Sequence, residues 1–396
     1  MPNNIPRIML VDMNSFFASV EQQANPFLRG QPLGVAVSPH PGSCLIGTSK
    51  EAKALGIKNG ISIYQARKIF PQIKTVATEP QKYREVNKRI TKIFRDYTDQ
   101  VEDYSVDESF LDFRDQKINP ILVGREIKQR IRREVGEWLT CSVGIAPNKF
   151  MAKLGADMQK PDGLSVVWRE QLRNIYKTKK LSDLWGIARG WTKRLARLGI
   201  TSPVEVLDYP VQNLIALFGK PGFFIWQRIN GLEEDVINNR EEDPKSFGHS
   251  WVLNFRTTDK AKLKPVILRL AEKAARRMRK EQFIAQSIYL SVLLVDGRSL
   301  HRSKRLRFTV NTGLEFYGEV MEIWKDWQFE TEVVHIAVGF ASLLKNVDQL
   351  SFWVDKQCQL TATLDQINNK YGEFTIRSSL LTQTNDFAPD AIAFGK

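Results

Sequence analysis

Histidine and cysteine are scarce in this chain of 396 residues, at four and three. The cysteines, Cys44, Cys141 and Cys358, are scattered, which excludes a disulfide framework and a zinc knuckle. Long apolar runs are missing as well. No stretch reaches the roughly 20 apolar residues of a membrane span, and the N-terminal IMLV run is too short for the core of a secretion signal. A cytoplasmic protein with no membrane partner is expected. Acidic residues fall short of basic ones, 44 against 58, leaving a formal charge of +14. That excess points to a polyanionic partner, nucleic acid first, although many basic proteins bind none. The whole composition, 42% apolar and 26% charged, describes a soluble globular chain. Its length asks for two to four domains.

Chemistry first shows in YSVDESFLDF, residues 104–113. This region reads as two short strands, VEDYSV and SFLDF, joined tightly at Asp107-Glu108. Two-residue hairpin turns prefer Asn-Gly or Asp-Gly, so adjacent acids serve something other than turn geometry. Near the N-terminus, Ile8 to Val11 read as a strand buried on both faces and ended by Asp12. Asn14 or Ser15 then caps a helix from Phe16. Asp12 is either a helix-capping acid or a ligand-binding group at the carboxyl end of a buried strand. If the hairpin lies beside that strand, Asp12, Asp107 and Glu108 converge. Three carboxylates with few histidines suit Mg²⁺. Such a cluster can hold two ions, which activate an attacking oxygen and steady a leaving phosphate.

Lysines form a second constellation. GTSKEAKALGIKNG reads as a strand, then a short helix from Lys50 closed by Gly56. Lys50 and Lys53, three apart near a helix start, either meet phosphates or are solvated surface cations. CSVGIAPNKFMAKLGADMQKPDGLSVV reads as strand, turn and helix, followed by a loop in which Lys160 is a third phosphate contact or a plain loop lysine.

VDMNSFFASVEQ, SKEAKALGIKNG, YSVDESFLDF and SVGIAPNKFMAKLGADMQKPDGL occur in the order and spacing of the Y-family translesion DNA polymerases. The chain most resembles the bacterial UV-mutagenesis branch (UmuC-type, ImpB–MucB–SamB), over nearly its whole length. The resemblance implies that Asp12 and Asp107 bind both Mg²⁺ ions, with Mn²⁺ able to substitute. Glu108 would serve the catalytic ion, and the Met13 carbonyl would complete the nucleotide-side one. Phe17 would be the steric gate under the sugar of the incoming nucleotide, while Phe16 offers only its backbone N–H near the phosphates. An apolar ring there leaves a ribose hydroxyl crowded and unpaired. Two positions depart from the pattern. Most relatives carry Tyr at Lys50 and often Arg at Lys53, whereas Lys160 matches.

The second half is basic and more helical. LSDLWGIARGWTKRLARLGI, with Ser182 as a cap, reads as a helix-hairpin-helix. Backbone N–H groups at Gly186, Ala188 and Gly190 would approach a DNA phosphate without reading sequence. An ordinary helical pair is the alternative. A polar linker around Pro244 precedes a βαββαβ order, a ferredoxin-like split unit. In its strand RLRFTV, Leu306, Phe308 and Val310 are expected to face the helices. Arg305 and Arg307 face outward as a phosphate rail or a solvated edge. The segment VDQLSFWVD resembles a clamp-docking peptide through Gln349, Leu350, Phe352 and Trp353; a buried strand-like segment is the other reading.

The expected fold class is α+β and multidomain: a right-hand polymerase with a ferredoxin-like palm core, small fingers, a helix-hairpin-helix thumb and a βαββαβ little finger. Expected bounds are 1–12 and 78–168 for the palm, 13–77 for the fingers and 169–240 for the thumb. A linker at 241–247 leads to the little finger at 248–345 and a tail at 346–396. The expected partners of this monomer are primer-template DNA, dNTP and a sliding clamp. The expected reaction is error-prone, two-metal primer extension opposite damaged or undamaged template. A two-metal nuclease or nucleotide cyclase, or a catalytically silent binding protein, would share parts of this pattern. A gate at Phe17 argues against the first pair and an intact acid trio against the last.

Overall fold

The computed structural model describes residues 6–234, 236–239, 243–345 and 356–381. The chain divides into two compact units between residues 241 and 242.

The first unit begins with β1 (Ile8–Met13), α1 (Phe16–Ala24), β2 (Leu33–Ala36), β3 (Leu45–Thr48), α2 (Lys50–Ala54), α3 (Ile63–Ile69) and β4 (Lys74–Ala77). It continues through α4 (Pro80–Arg95), β5 (Val101–Asp103), β6 (Glu108–Asp112), α5 (Pro120–Arg130), β7 (Cys141–Ala146), α6 (Lys149–Met158) and β8 (Leu164–Val166). A five-stranded sheet runs β5-β6-β1-β7-β8, and a smaller one runs β3-β2-β4. β1 is central and antiparallel to both neighbours. Met9, Val11 and Met13 enter one core and Ile8 and Leu10 another, which explains its unbroken apolar run.

Gly144 of β7 lets α6 lie directly on the sheet. A Cβ there would stand 1.9 Å from the Ala152 carbonyl and 2.3 Å from the Ala156 nitrogen. Helices α7 (Leu172–Tyr176), α8 (Arg189–Ala196), α9 (Pro203–Asp208), α10 (Val211–Phe218) and α11 (Lys220–Ile229) follow. They extend the core formed by Ile8, Leu10 and Phe150.

Three local expectations need correction. The acids do not share a two-residue turn: β5 stops at Asp103, Tyr104–Asp107 form the turn, and Glu108 opens β6. The Ser105 hydroxyl donates to Asp107 Oδ1 at 2.7 Å, a local bond that competes with strand pairing. Ser15 occupies the N-cap position in a left-handed conformation (φ 49°) without capping through its side chain. Asn14 does not cap either; its amide donates to Ser142 and its carbonyl accepts from Thr140 and the Asp162 N–H. Ser182 lies inside a single 3-10 turn, Leu181–Asp183, whose cap position is Lys180.

The second unit holds β9 (Ser246–Thr257), α12 (Lys260–Lys280), β10 (Phe283–Leu294), β11 (Ser299–Val310), α13 (Gly313–Lys325), β12 (Val333–Lys345) and α14 (Lys356–Tyr371). β9 takes in the last two residues of the expected linker. The strand order is β11-β10-β12-β9, all antiparallel. Leu263, Ile267, Leu270, Ala274 and Met278 of α12 are fully buried on it. Phe308 does not face the helices; it is 74% exposed. Pairing jumps from Ser287↔Arg305 to Ala285↔Val310, so β11 bulges between them and turns Phe308 outward. The proposed clamp residues Gln349, Leu350, Phe352 and Trp353 lie outside the described residues.

Candidate active site

The register between β1 and β6 builds the site. Asp12 pairs directly with Glu108, and the Met13 N–H donates to the Asp107 carbonyl at 2.9 Å. All three acids line one pocket of about 450 Å³. The alternative of Asp12 as a helix cap fails, because Ser15 holds the N-cap position of α1 and Asp12 is inside β1. Asp12 is buried while Asp107 and Glu108 are half-buried. Burial raises the pKa of both Asp107 and Glu108.

Two ammonium groups lie on these acids. Lys153 Nζ donates to Asp12 Oδ2 at 2.6 Å and to Glu108 Oε1 at 2.7 Å. Lys160 Nζ donates to the same Asp12 oxygen at 2.7 Å and pairs with Asp157 at 2.8 Å. Burial alone would lower both lysines, but the facing carboxylates, Asp12 first, outweigh it and hold both above the usual lysine range. Among the described residues, no group of three acid, histidine or cysteine side chains is drawn together tightly enough to hold a metal as placed. The donor chemistry nevertheless fits a hard divalent cation: the acids offer only oxygen, and the Asp12–Glu108 pair already holds a cationic group between its carboxylates.

Sequence reasoning missed Lys153. Its signal is a polar stripe along α6, where Lys149, Lys153 and Asp157 recur every four residues and Lys160 follows the helix. Lys149 uses that stripe to pair with Glu102 at 2.6 Å.

Aromatic and further basic residues line the same pocket. Phe16 and Phe17 are buried at the start of α1, and both line the pocket. The Phe17 ring meets Tyr83 edge-on, with centroids 4.9 Å apart. Gly47 of β3 makes room for it, since a Cβ there would stand 2.9 Å from Phe17 Cβ. Lys53 donates to the Ser15 hydroxyl at 2.9 Å. The enclosing walls and then the Lys160 ammonium push its pKa down. Lys50 also lines the pocket, with its ammonium 5.0 Å from the centre of the Trp138 ring.

The residues expected to touch DNA lie elsewhere. Gly186, Ala188 and Gly190 are exposed in the turn and first residues of α8. Trp185, next to Gly186, stacks edge-on against Tyr104 of the acid turn at 5.4 Å. Arg305 and Arg307 are exposed on β11 of the second unit, with Arg307 lying 5.5 Å from the Phe308 ring centre.

Two family models match the chain. The impB/mucB/samB family covers residues 11–157 and the impB/mucB/samB family C-terminal domain covers residues 244–352. The chain is 34% identical to DNA polymerase IV of Moorella thermoacetica, over 94% of this chain and 95% of that protein. It is 28% identical to DNA polymerase IV 1 of Bacillus subtilis, over 100% and 98%. Among solved structures, a Y-family DNA polymerase chimera superposes with a TM-score of 0.74 at 27% identity, covering 86% of this chain and 99% of that one. Matches of this extent leave one assignment: the chain belongs to the impB/mucB/samB family of Y-family translesion DNA polymerases.

Proposed function

We propose that the chain is a DNA-directed DNA polymerase of the error-prone translesion type, adding dNTPs to a primer 3′-hydroxyl opposite damaged or undamaged template. The observation that carries this reading is the single pocket lined by Asp12, Asp107, Glu108, Phe17, Lys50, Lys53 and Lys160. Carboxylates and lysines lining one pocket suit a nucleotide whose α-phosphate is attacked while its triphosphate tail is neutralised.

Asp12, Asp107, Glu108 and the Met13 carbonyl would hold two divalent ions, Mg²⁺ with Mn²⁺ able to substitute. Bound there, the ions supply Lewis acidity for the attacking hydroxyl and countercharge for the departing pyrophosphate. Lys160 and Lys53 orient the triphosphate, and the N–H of Phe16 approaches it from the start of α1. The Phe17 ring lies under the sugar and excludes a 2′-hydroxyl. Lys153 bridges Asp12 and Glu108 through its ammonium.

On this reading, residues 1–12 and 78–168 are the palm, 13–77 the fingers and 169–240 the thumb. Residues 241–247 link them to the little finger at 248–345, and 346–396 form a tail. Gly186, Ala188 and Gly190 in the thumb and Arg305 and Arg307 in the little finger hold template-primer DNA by its backbone. Residues 349–353 dock on a sliding clamp, and the protein acts as a cytoplasmic monomer. No helix among the described residues is long and apolar enough to cross a membrane.

The test is incubation with a primed template carrying one abasic site, the four dNTPs and Mg²⁺. Lengthening of the primer past the site supports the proposal. Shortening alone, or a cyclic nucleotide product, replaces the polymerase with a two-metal nuclease or cyclase.

A further inference from the structure

Lys50 is unusually placed for a lysine at the mouth of an acid-lined pocket. Among the described residues its nearest carboxylate is Glu51, at 4.0 Å, and Glu51 already accepts from Gln22 Nε2 at 3.2 Å. The Lys50 ammonium rests instead over the Trp138 ring, 5.0 Å from its centre. Lys153 and Lys160 spend their charge on carboxylates and Lys53 donates to a hydroxyl. Lys50 therefore brings a positive charge to the pocket with little to neutralise it.

Trp138 is itself held from several sides. It sits in the turn before β7, half-buried. Its Nε1 donates to Gln22 Oε1 at 2.9 Å and its backbone N–H to Gln23 Oε1 at 2.8 Å. Arg29 lies 5.5 Å from its ring centre and is fixed by Glu137 at 2.6 Å and by the Gln22 carbonyl at 3.0 Å. A ring clamped in this way offers a stationary negative face to a long, otherwise mobile side chain.

We infer that Trp138 is a positioning residue that holds the Lys50 ammonium against the pocket so that it meets the outer phosphates of an incoming nucleoside triphosphate. The inference rests on the polymerase reading and adds to it a determinant outside the acid cluster. A cation resting on a π-face has no anion to give up before it meets a phosphate, whereas one held by a carboxylate would exchange one anion for another. Trp138 acts only through Lys50, so the two side chains contribute as one unit.

Steady-state extension of a primed template, with dNTP varied, tests this. Lys50→Ala is expected to raise the KM for dNTP about tenfold, and Trp138→Ala about threefold, each by more than kcat falls. The double variant is expected to match Lys50→Ala alone. Trp138→Phe, which keeps a ring face but loses the bond to Gln22, is expected to fall between wild type and Trp138→Ala. Trp138→Ala and Lys50→Ala effects that multiply, or a Trp138→Ala loss confined to kcat and melting temperature, would overturn the inference. So would a Trp138→Phe defect as large as that of Trp138→Ala. Absence of primer extension by the wild-type protein would instead remove the polymerase reading itself.

Discussion

Phe17, in its proposed gate role, would make one side chain set a chemical preference. Its ring is buried between Tyr83 and β3 and cannot move aside for a larger sugar without disturbing both. Phe17→Ala is expected to raise the ratio of ribonucleotide to deoxyribonucleotide kcat/KM by about tenfold or more, read by single-nucleotide insertion. An unchanged ratio would remove the gate assignment. Lys153 makes a different kind of prediction. Its ammonium separates two acids that face each other across β1 and β6. Lys153→Ala is expected to destabilise the metal-free protein by about 1–3 kcal/mol. Mg²⁺ is then expected to restore melting temperature more strongly in the variant than in wild type; equal Mg²⁺ shifts in both would contradict this. That Phe17 lines the pocket was legible because it belongs to a contiguous motif. Lys153 was passed over: its polar stripe on α6 reads as a solvated face, and only the packing of α6 brings that stripe onto Asp12 and Glu108.

At the scale of elements, site geometry depends on how closely α6 lies on β7. Gly144→Ala would drive a methyl into the Ala152 carbonyl and push the helix away, carrying Lys153 with it. A loss of about 2–4 kcal/mol is expected in denaturant unfolding; an unchanged midpoint would show that the helix can shift freely. Part of the strand-helix order was readable, at β1, α1, β3, α2, β7 and α6, because buried strands and helix starts leave strong local signals, while β2, β4, α4 and α5 went unread. The acid turn was misread. Val106 looks like a strand residue, yet the Ser105–Asp107 hydrogen bond and the pairing of Tyr104 and Ser105 N–H groups with the Glu108 carbonyl close a longer turn. Phe308 was misread for a related reason: alternation fails across a bulge, and nothing in RLRFTV marks where pairing slips.

Across the whole molecule, the excess of 58 basic over 44 acidic residues fits a ligand held by its phosphates. Duplex affinity is expected to fall linearly with salt on a log–log plot and to vary little with sequence. Arg305→Ala and Arg307→Ala are each expected to reduce that slope by about one; an unchanged slope would mean the β11 arginines are only a solvated edge. Net charge and the position of the boundary near residue 241 were both visible in the sequence, the latter through the polar run around Pro244.

The central claim is that Asp12, Asp107 and Glu108 are catalytic acids and not structural ones. It is tested most directly by measuring, on one preparation of Asp107→Ala, both primer extension with Mg²⁺ and affinity for the same primed duplex. The account predicts that extension is lost while the duplex is still bound. Extension at the wild-type rate, or parallel loss of extension and binding, would contradict it.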